Sequence, residues 1–157
     1  MRKLRNPFDA LPGYFCFGCS SDNKHGLRMT FFEDGDEIIS RWDPDPQYQG
    51  YINIIHGGVQ ATLMDEIASW VVFIKLKTGG VTSRLSSRFR KPVLVNEGPL
   101  TIRARLKEHS GRIAAIEVKL FNGKQILCAD ASVEYFVLSP EKAATSMNYP
   151  GVEAFYE

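Results

Sequence analysis

The stretch IIHGGVQATLMDEIASWVVF, residues 54–73, decides the fold because it is long and apolar on nearly every side. It predicts a helix from about Gly57 to Lys77, a rod of roughly 30 Å at about 1.5 Å per residue. A helix that is apolar all round must be covered by other parts of the protein. The adjacent carboxylates of Asp65 and Glu66 in its middle therefore call for an explanation, since burying an idle charge is costly.

Two strand candidates precede this helix and four follow it. Alternation of apolar and polar residues, together with turn sequences such as Asp34-Gly35-Asp36 and Asn122-Gly123, places them. They are residues 27–33, 37–42, 81–90, 99–108, 112–121 and 125–137. An antiparallel sheet of about six strands wrapped around one long helix buries both elements, which is an α+β architecture. Two such sheets side by side would also cover an open edge, so we expect a dimer.

The 157 residues suit one domain, with an irregular arm at 1–23 and a tail at 139–157 that holds a short helix near 140–146. A net charge of +1 argues against a nucleic-acid or membrane-surface binder. No apolar run approaches the roughly 20 residues of a membrane span, and the N-terminus lacks the apolar core of a secretory signal. Three cysteines do not form a disulfide framework, so we expect a reducing, cytoplasmic location.

The helix start His56-Gly57-Gly58, with Asp65 nine residues after the histidine, resembles the hotdog-fold acyl-CoA thioesterases. The nearest group is the one that contains the phenylacetyl-CoA and 4-hydroxybenzoyl-CoA thioesterases, and the resemblance covers roughly residues 14–138. It implies a hotdog fold that hydrolyses an acyl-CoA to an acid and free coenzyme A, as a homodimer or a dimer of dimers. Coenzyme A enters only as part of the substrate, and we expect neither a metal nor a redox cofactor.

Thioester hydrolysis needs a group that polarises the carbonyl and a carboxylate that attacks it or activates water. A helix N-terminus offers free N–H groups, and two glycines allow a substrate to approach them closely. By the resemblance, the N–H of Gly57 polarises the thioester oxygen and Asp65 is the nucleophile or general base. The two lie about 12 Å apart along one helix, so they act in one site only if two subunits share it. The alternatives are glycines that merely permit tight packing and an aspartate that faces solvent.

Four further residues are candidates for supporting roles in catalysis. In the resembling family His56 mostly shapes the loop, and a neutral imidazole suits a helix N-terminus. Thr82 matches a hydroxyl that orients water in some relatives, and Gln49 is a second candidate for that task. Gly50 stands where many relatives carry an asparagine, which leaves Asn53 as a further candidate.

The candidate substrate contacts are Gly58, Glu66, Arg90 and Lys91. Glu66 points about 100° away from Asp65 around the helix, and we favour a structural partner for it, with a basic residue as the expected kind. The reversed assignment, with Glu66 as the reactive carboxylate, stays open. Alternation places Thr82 on the same face of its strand as the arginines at 84, 88 and 90. Arg90 and Lys91, near the strand's end, are the candidates for coenzyme A phosphates, and a solvated face is the alternative.

The motif Cys16-x₂-Cys19-x₅-His25 has the beginning of a zinc site but no second cysteine pair. A fourth ligand would have to come from Cys128 or another chain, so we favour a turn that packs small sulfur side chains. Two other functions are open on the same fold. One is a non-catalytic acyl-CoA-binding protein. The other is a dehydratase, which is disfavoured because Tyr51 stands where an aspartate, five residues before the histidine, would be needed.

Overall fold

One seven-stranded antiparallel sheet carries the fold, in a computed structural model that describes all 157 residues. The spatial order of the strands is β1-β2-β3-β5-β6-β7-β4. Their bounds are β1 Arg2–Lys3, β2 Phe31–Asp34, β3 Glu37–Trp42, β4 Gly80–Phe89, β5 Leu100–Ser110, β6 Ile113–Phe121 and β7 Leu127–Val137.

The predicted helix is present as α1, Gly57–Val71, and continues as a π-helical turn over Val72–Leu76. It ends at Lys77, whose φ of 56° is left-handed. The helix packs across β3 to β7 and buries most of its surface, as its apolar sequence requires. A short second helix, α2, spans Pro140–Met147 and confirms the one expected near 140–146. None of the helices combines the length and apolarity needed to cross a bilayer.

The strand predicted at 27–33 begins only at Phe31, so that boundary was wrong. The reason is a competing set of backbone hydrogen bonds: Leu27 donates to the carbonyl of Phe17 at 2.7 Å, and Met29 donates to that of Gly18 at 2.9 Å. The N-terminal arm thereby captures this segment before it can join the sheet. The arm also supplies β1, which pairs with β2 and raises the strand count from about six to seven.

Both ends of the chain contribute to the same core as the sheet and α1. Leu4 and Phe8 of the arm are buried, as are Tyr149 and Phe155 of the tail. Phe155 lies against Trp70 of α1 at a centroid distance of 5.4 Å. The arm and tail therefore form part of the domain's packing, because their aromatic side chains cover the end of the central helix.

Strand β4 forms one edge of the sheet and pairs only with β7. Its side chains are exposed along most of its length, including two large apolar ones, Val81 at 52% and Phe89 at 51% exposure. The unpaired backbone groups of an edge strand are a ready template for pairing with another chain.

A β-bulge in β4 changes which side chains face α1. Thr82 pairs with Tyr135 and Arg84 pairs with Glu134, so Ser83 is an extra residue with no register partner on β7, although its Oγ donates to the carbonyl of Glu134 at 3.1 Å. Partners in an antiparallel ladder lie on the same face, and Tyr135 is buried. Thr82 therefore faces the helix while Arg84 faces away. The prediction that they share a face was wrong, because an inserted residue shifts the alternation by one.

Candidate active site

The N-terminus of α1 begins with a capping hydrogen bond from its own motif. His56 is the N-cap residue, and its Nδ1 accepts a hydrogen bond from the N–H of Gly58 at 2.9 Å. Nδ1 therefore carries no proton in this arrangement. The N–H of Gly57 has no acceptor within the chain, as is usual for the first residue of a helix. One donor of the motif thus closes the cap, and the other is free for a ligand.

A groove of about 720 Å³ opens at this helix end. It brings together four of the predicted residues, His56, Gly57, Arg90 and Lys91. The other lining residues are Gly50, Tyr51, Ile54, Ile55, Gln60, Phe89 and Pro92. Another cavity, of about 730 Å³, lies between the arm and β2 and β3 and includes none of the predicted site residues. Of these two cavities, the groove at the start of α1 is therefore the one lined by residues that the sequence predicted for thioester hydrolysis.

The two cations of the groove differ in their partners. The guanidinium of Arg90 binds the carboxylate of Asp130 on β7. Lys91 has no carboxylate partner in the chain and is exposed. Of the pair, Lys91 is therefore the one whose charge is available to an anionic ligand.

Asp65 is held by two hydroxyl groups on one of its oxygens. Thr82 donates from Oγ1 to Oδ1 at 2.8 Å, and the hydroxyl of Tyr135 lies 3.3 Å from the same Oδ1 and 3.1 Å from the backbone oxygen of Asp65. Oδ2 has no donor within the chain. Burial, and then the charge of Asp65, raise the pKa of Tyr135, which keeps this phenol protonated as a donor. The carboxylate is thus fixed in orientation with one oxygen left for chemistry.

Tyr135 is the site residue that sequence reasoning missed. The alternation of β7 places it on the inner face, and a buried tyrosine hydroxyl usually has a hydrogen-bond partner. That signal was present, but it did not indicate which polar group on α1 would be the partner. The hydroxyl of Thr82 donates to Asp65, and the water-orienting role predicted for this residue remains untested.

The loop before α1 is held by side-chain amides. Gln49 accepts the N–H of Asn53 on its Oε1 at 2.9 Å, which supports the left-handed φ of 64° at Asn53. The side-chain amide of Asn53 donates to Oδ1 of Asn96 at 3.1 Å, and the backbone N–H of Asn96 donates to Oδ1 of Asn53 at 3.2 Å. Gln60, buried beside the groove, donates to the carbonyl of Ile55 at 3.1 Å and has no partner for its Oε1. Gln49 therefore helps to shape the loop, and its predicted water-orienting role remains untested.

Gly57 and Asp65 do not share a site within one chain. They are eight residues apart on the same straight helix, which is a separation of about 12 Å along its axis. The groove lines the start of the helix, whereas Asp65 lies deeper, beside β4 and β7. Any reaction that uses both groups on one carbonyl has to recruit one of them from a second copy of the chain.

Residues 52–129, just under half of the chain, match the sequence model of the thioesterase superfamily. The fold is the hotdog thioesterase fold. In it the antiparallel sheet wraps around the single long helix, as the sequence predicted. No curated protein matches the sequence.

Solved structures with this hotdog fold are similar over most of the chain. A thioesterase superfamily protein is 23% identical with a TM-score of 0.67, and the match covers 73% of this chain but only 56% of that one. A hypothetical thioesterase from Streptococcus pneumoniae with coenzyme A is 22% identical with a TM-score of 0.66, covering 71% and 87%. A Streptococcus mutans protein bound to acetyl-CoA is 20% identical with a TM-score of 0.67, covering 83% and 98%. Identities this low establish the shared fold alone.

Glu66 lies outside the groove, beneath the turn that joins Cys16 to Cys19. The thiol of Cys16 is 3.6 Å from both carboxylate oxygens of Glu66. A Cβ added at Gly18 would lie 2.4 Å from Oε2, so the turn closes directly over the carboxylate. The basic partner expected for Glu66 is absent, and that expectation was wrong, because the arm brings sulfur rather than nitrogen to this carboxylate.

The environment of Glu66 alters its protonation. Burial, and then the charge of Cys16, raise the pKa of Glu66 to about 7. A hydrogen bond from Cys19 lowers the pKa of Cys16 to about 5, against the effect of burial. Cys19 lies 3.5 Å from Cys16 and 3.2 Å from the hydroxyl of Tyr14. The arm therefore contacts α1 through a hydrogen-bonded group of ionisable side chains.

Proposed function

We propose that this protein hydrolyses acyl-CoA thioesters to a carboxylic acid and free coenzyme A. The observation that carries the proposal is the geometry of Asp65, whose Oδ1 is held by Thr82 and Tyr135 while Oδ2 is free. A carboxylate oriented in this way suits general-base or nucleophilic attack on a thioester. The superfamily match and the coenzyme A ligands of two similar structures support the same substrate class.

In the proposed reaction the thioester carbonyl lies in the groove, with its oxygen toward the N–H of Gly57. This donor and the helix dipole stabilise the negative charge that develops on the oxygen, an effect worth about 2.7–4 kcal/mol in other enzymes. Lys91, assisted by Arg90, contacts the phosphates of coenzyme A. Asp65 of the partner subunit then takes a proton from a water that attacks the carbonyl carbon, or itself attacks that carbon to form an anhydride that water hydrolyses. In both routes the C–S bond breaks, the acid is released, and coenzyme A leaves as a thiolate that takes up a proton.

The same proposal requires at least a homodimer, and a dimer of dimers fulfils it equally well. The axial separation of about 12 Å keeps Gly57 and Asp65 of one chain apart. The exposed edge strand β4 borders Asp65 through Thr82 and is the surface we assign to the subunit contact. We also place the protein in the cytoplasm, because all three of its cysteines are free thiols.

Thiol release from a panel of acyl-CoAs, detected with a chromogenic disulfide, tests the activity. Asp65→Asn keeps the shape and the bond from Thr82 but removes the base, so it should lower kcat by on the order of 100-fold or more. Saturable binding of acyl-CoA by the wild-type chain with no thiol release would instead assign a non-catalytic acyl-CoA-binding role.

Subunit complementation tests where the two groups come from. Asp65→Asn and Gly57→Val are each expected to be nearly inactive, since a valine at 57 places its branched side chain where the thioester oxygen should lie. After subunit exchange, a mixed dimer contains one site with both wild-type groups. Activity of the mixture above the sum of its parts supports a shared site, and no gain after verified exchange refutes it.

A further inference from the structure

A cluster of metal-binding side chains lies outside the groove, where the arm contacts α1. We call it the arm cluster and define it by Cys16, Cys19 and Glu66. The ligand atoms of these three residues all lie within 4.8 Å of one another. Cys16 Sγ lies 3.5 Å from Cys19 Sγ and 3.6 Å from each carboxylate oxygen of Glu66. The proposed hydrolysis uses none of these atoms.

The spacing of these atoms fits the edges of a tetrahedron around a zinc ion. With Zn–S of about 2.3 Å and Zn–O of about 2.0 Å, tetrahedral angles give an S–S edge of about 3.8 Å and an S–O edge of about 3.5 Å. The observed 3.5 Å and 3.6 Å differ from these by no more than about 0.3 Å. Of the ligands that the sequence suggested, Cys16 and Cys19 belong to the cluster and His25 is exposed, and folding adds a third ligand by bringing Glu66 beneath the turn.

The charges around the arm cluster favour a cation. Asp65, which directly precedes Glu66 on the helix, adds a further carboxylate beside it. No ion pair in the chain includes Glu66. A divalent ion would supply the positive charge that no lysine or arginine provides here.

We propose that the arm cluster binds a thiophilic divalent cation of the zinc class through two thiolates and one carboxylate. Each thiol releases its proton to solvent on binding, so the three ligands carry three negative charges against two positive ones. Water occupies the fourth position. Sulfur ligands select zinc-class metals over magnesium or calcium, which prefer oxygen. This proposal departs from the expectation of a metal-free protein drawn from the sequence, which itself stays a prediction, and it is independent of the proposed hydrolysis.

The site has a structural consequence for the catalytic helix. Its cysteines belong to the arm, whereas Glu66 belongs to α1 and directly follows Asp65. A bound ion would therefore fasten the arm to the part of the helix that carries the proposed base. Since the unfolded chain does not hold these ligands together, binding stabilises the folded state in proportion to the logarithm of the metal concentration.

Metal binding can be measured directly on the full chain, purified with reductant and stripped with a chelator. Titration with Co²⁺ should give one equivalent with a thiolate-to-cobalt charge-transfer band and the intense visible bands of tetrahedral cobalt. Zn²⁺ should displace it stoichiometrically. Loss of an outer-sphere partner alone costs roughly 10–100-fold in affinity, so Cys16→Ser should weaken Zn²⁺ binding by at least about 100-fold.

Two further variants make the result specific. Glu66→Gln should keep the charge-transfer band but weaken Zn²⁺ binding by about tenfold or more. Cys128→Ser is the matched control, because Cys128 is the third thiol and bonds only the carbonyl of Ile126 at 3.4 Å, so its metal affinity should equal that of the wild type.

Three outcomes would overturn the site. The first is Zn²⁺ affinity in the wild type no greater than in Cys16→Ser. The second is a cobalt spectrum without thiolate character. The third is a Cys16–Cys19 disulfide in protein freshly prepared without oxygen, which would identify the pair as redox-active instead. Thiol release from acyl-CoA is measured separately, so the failure of the metal site can be told apart from the failure of the proposed hydrolysis.

Discussion

Replacing Gly18 with alanine tests the packing of the arm against α1 without any knowledge of the substrate. An ideal Cβ at this position lies 2.4 Å from Oε2 of Glu66 and 2.5 Å from both Cδ and Cγ. Ordinary contacts begin near 3.4 Å, so the carboxylate or the turn must move by about 1 Å. Overpacking of this kind costs about 1–3 kcal/mol, and the lost thiol–carboxylate bond adds about 1 kcal/mol.

The expected loss of unfolding free energy is therefore roughly 2–4 kcal/mol. For a chain of this length each kcal/mol lowers Tm by about 2–4 °C, so Gly18→Ala should melt about 4–16 °C below the wild type. Urea and thermal unfolding followed by circular dichroism, with chelator and reductant present, measure both quantities. The chelator keeps the outcome independent of any bound metal.

A double-mutant cycle isolates the contact. Glu66→Ala removes all three atoms that the new methyl group would meet, so Gly18→Ala in that background should cost less than about 1 kcal/mol. Gly57→Ala is the matched control, because a Cβ there meets only Phe89 Cζ at 4.0 Å. The packing argument is refuted if Gly18→Ala is as stable as the wild type, or if its full cost persists when Glu66 is alanine.

Thr82→Val removes the 2.8 Å hydrogen bond to Asp65. Hydrogen bonds to charged groups are worth about 1.5–3 kcal/mol, and exposure places this one near the lower end. We therefore expect kcat to fall by about tenfold with KM little changed. Lys91→Ala should raise KM for acyl-CoA by up to about fivefold, less at high salt, as expected for an exposed charge contact of at most about 1 kcal/mol. Burial alone would raise the pKa of Glu33. The hydrogen bonds that its carboxylate accepts from Lys75 and Tyr156 outweigh burial and hold this pKa below the usual 4.5. The stability advantage of the wild type over Lys75→Met in urea unfolding, at most about 1 kcal/mol, should be full at pH 7 and decline as pH falls below about 4.5.

Each of these predictions has a control and a contrary result. Ser86→Ala lies on the outer face of β4 and should leave kcat unchanged; an equal loss there would remove the special role of Thr82. Lys107→Ala is the exposed-lysine control for KM, and an equal effect would indicate a general charge contribution. A Lys75→Met stability difference that grows as the pH falls would contradict the ion-pair argument for Glu33.

The helix and most of the sheet were predictable because each rests on local pattern. An apolar run of about 20 residues, a two-residue turn at Gly35-Asp36 and regular alternation in β5 and β6 need no long-range information. The helix-terminal motif likewise placed Gly57 and His56 at the groove, since both positions follow from where the helix begins.

The remaining features depend on contacts between distant segments. Glu66 meets Cys16 across 50 residues of sequence, and Tyr135 meets Asp65 across 70. Neither the spacing of such residues in the sequence nor the chemistry of their side chains predicts that they are in contact. The early part of the strand predicted at 27–33 was lost to the arm for the same reason, because pairing with a remote backbone outweighs local alternation.

The extra residue Ser83 allows Thr82 and Arg84, two positions apart, to face opposite sides of β4. Deleting this serine would close the bulge and restore regular alternation, with Thr82 still opposite Tyr135 and its hydroxyl still facing α1. Relatives that lack this one residue would show a gap in an alignment yet present the same side chain to the carboxylate, so their strands should be compared by cross-strand partner rather than by spacing.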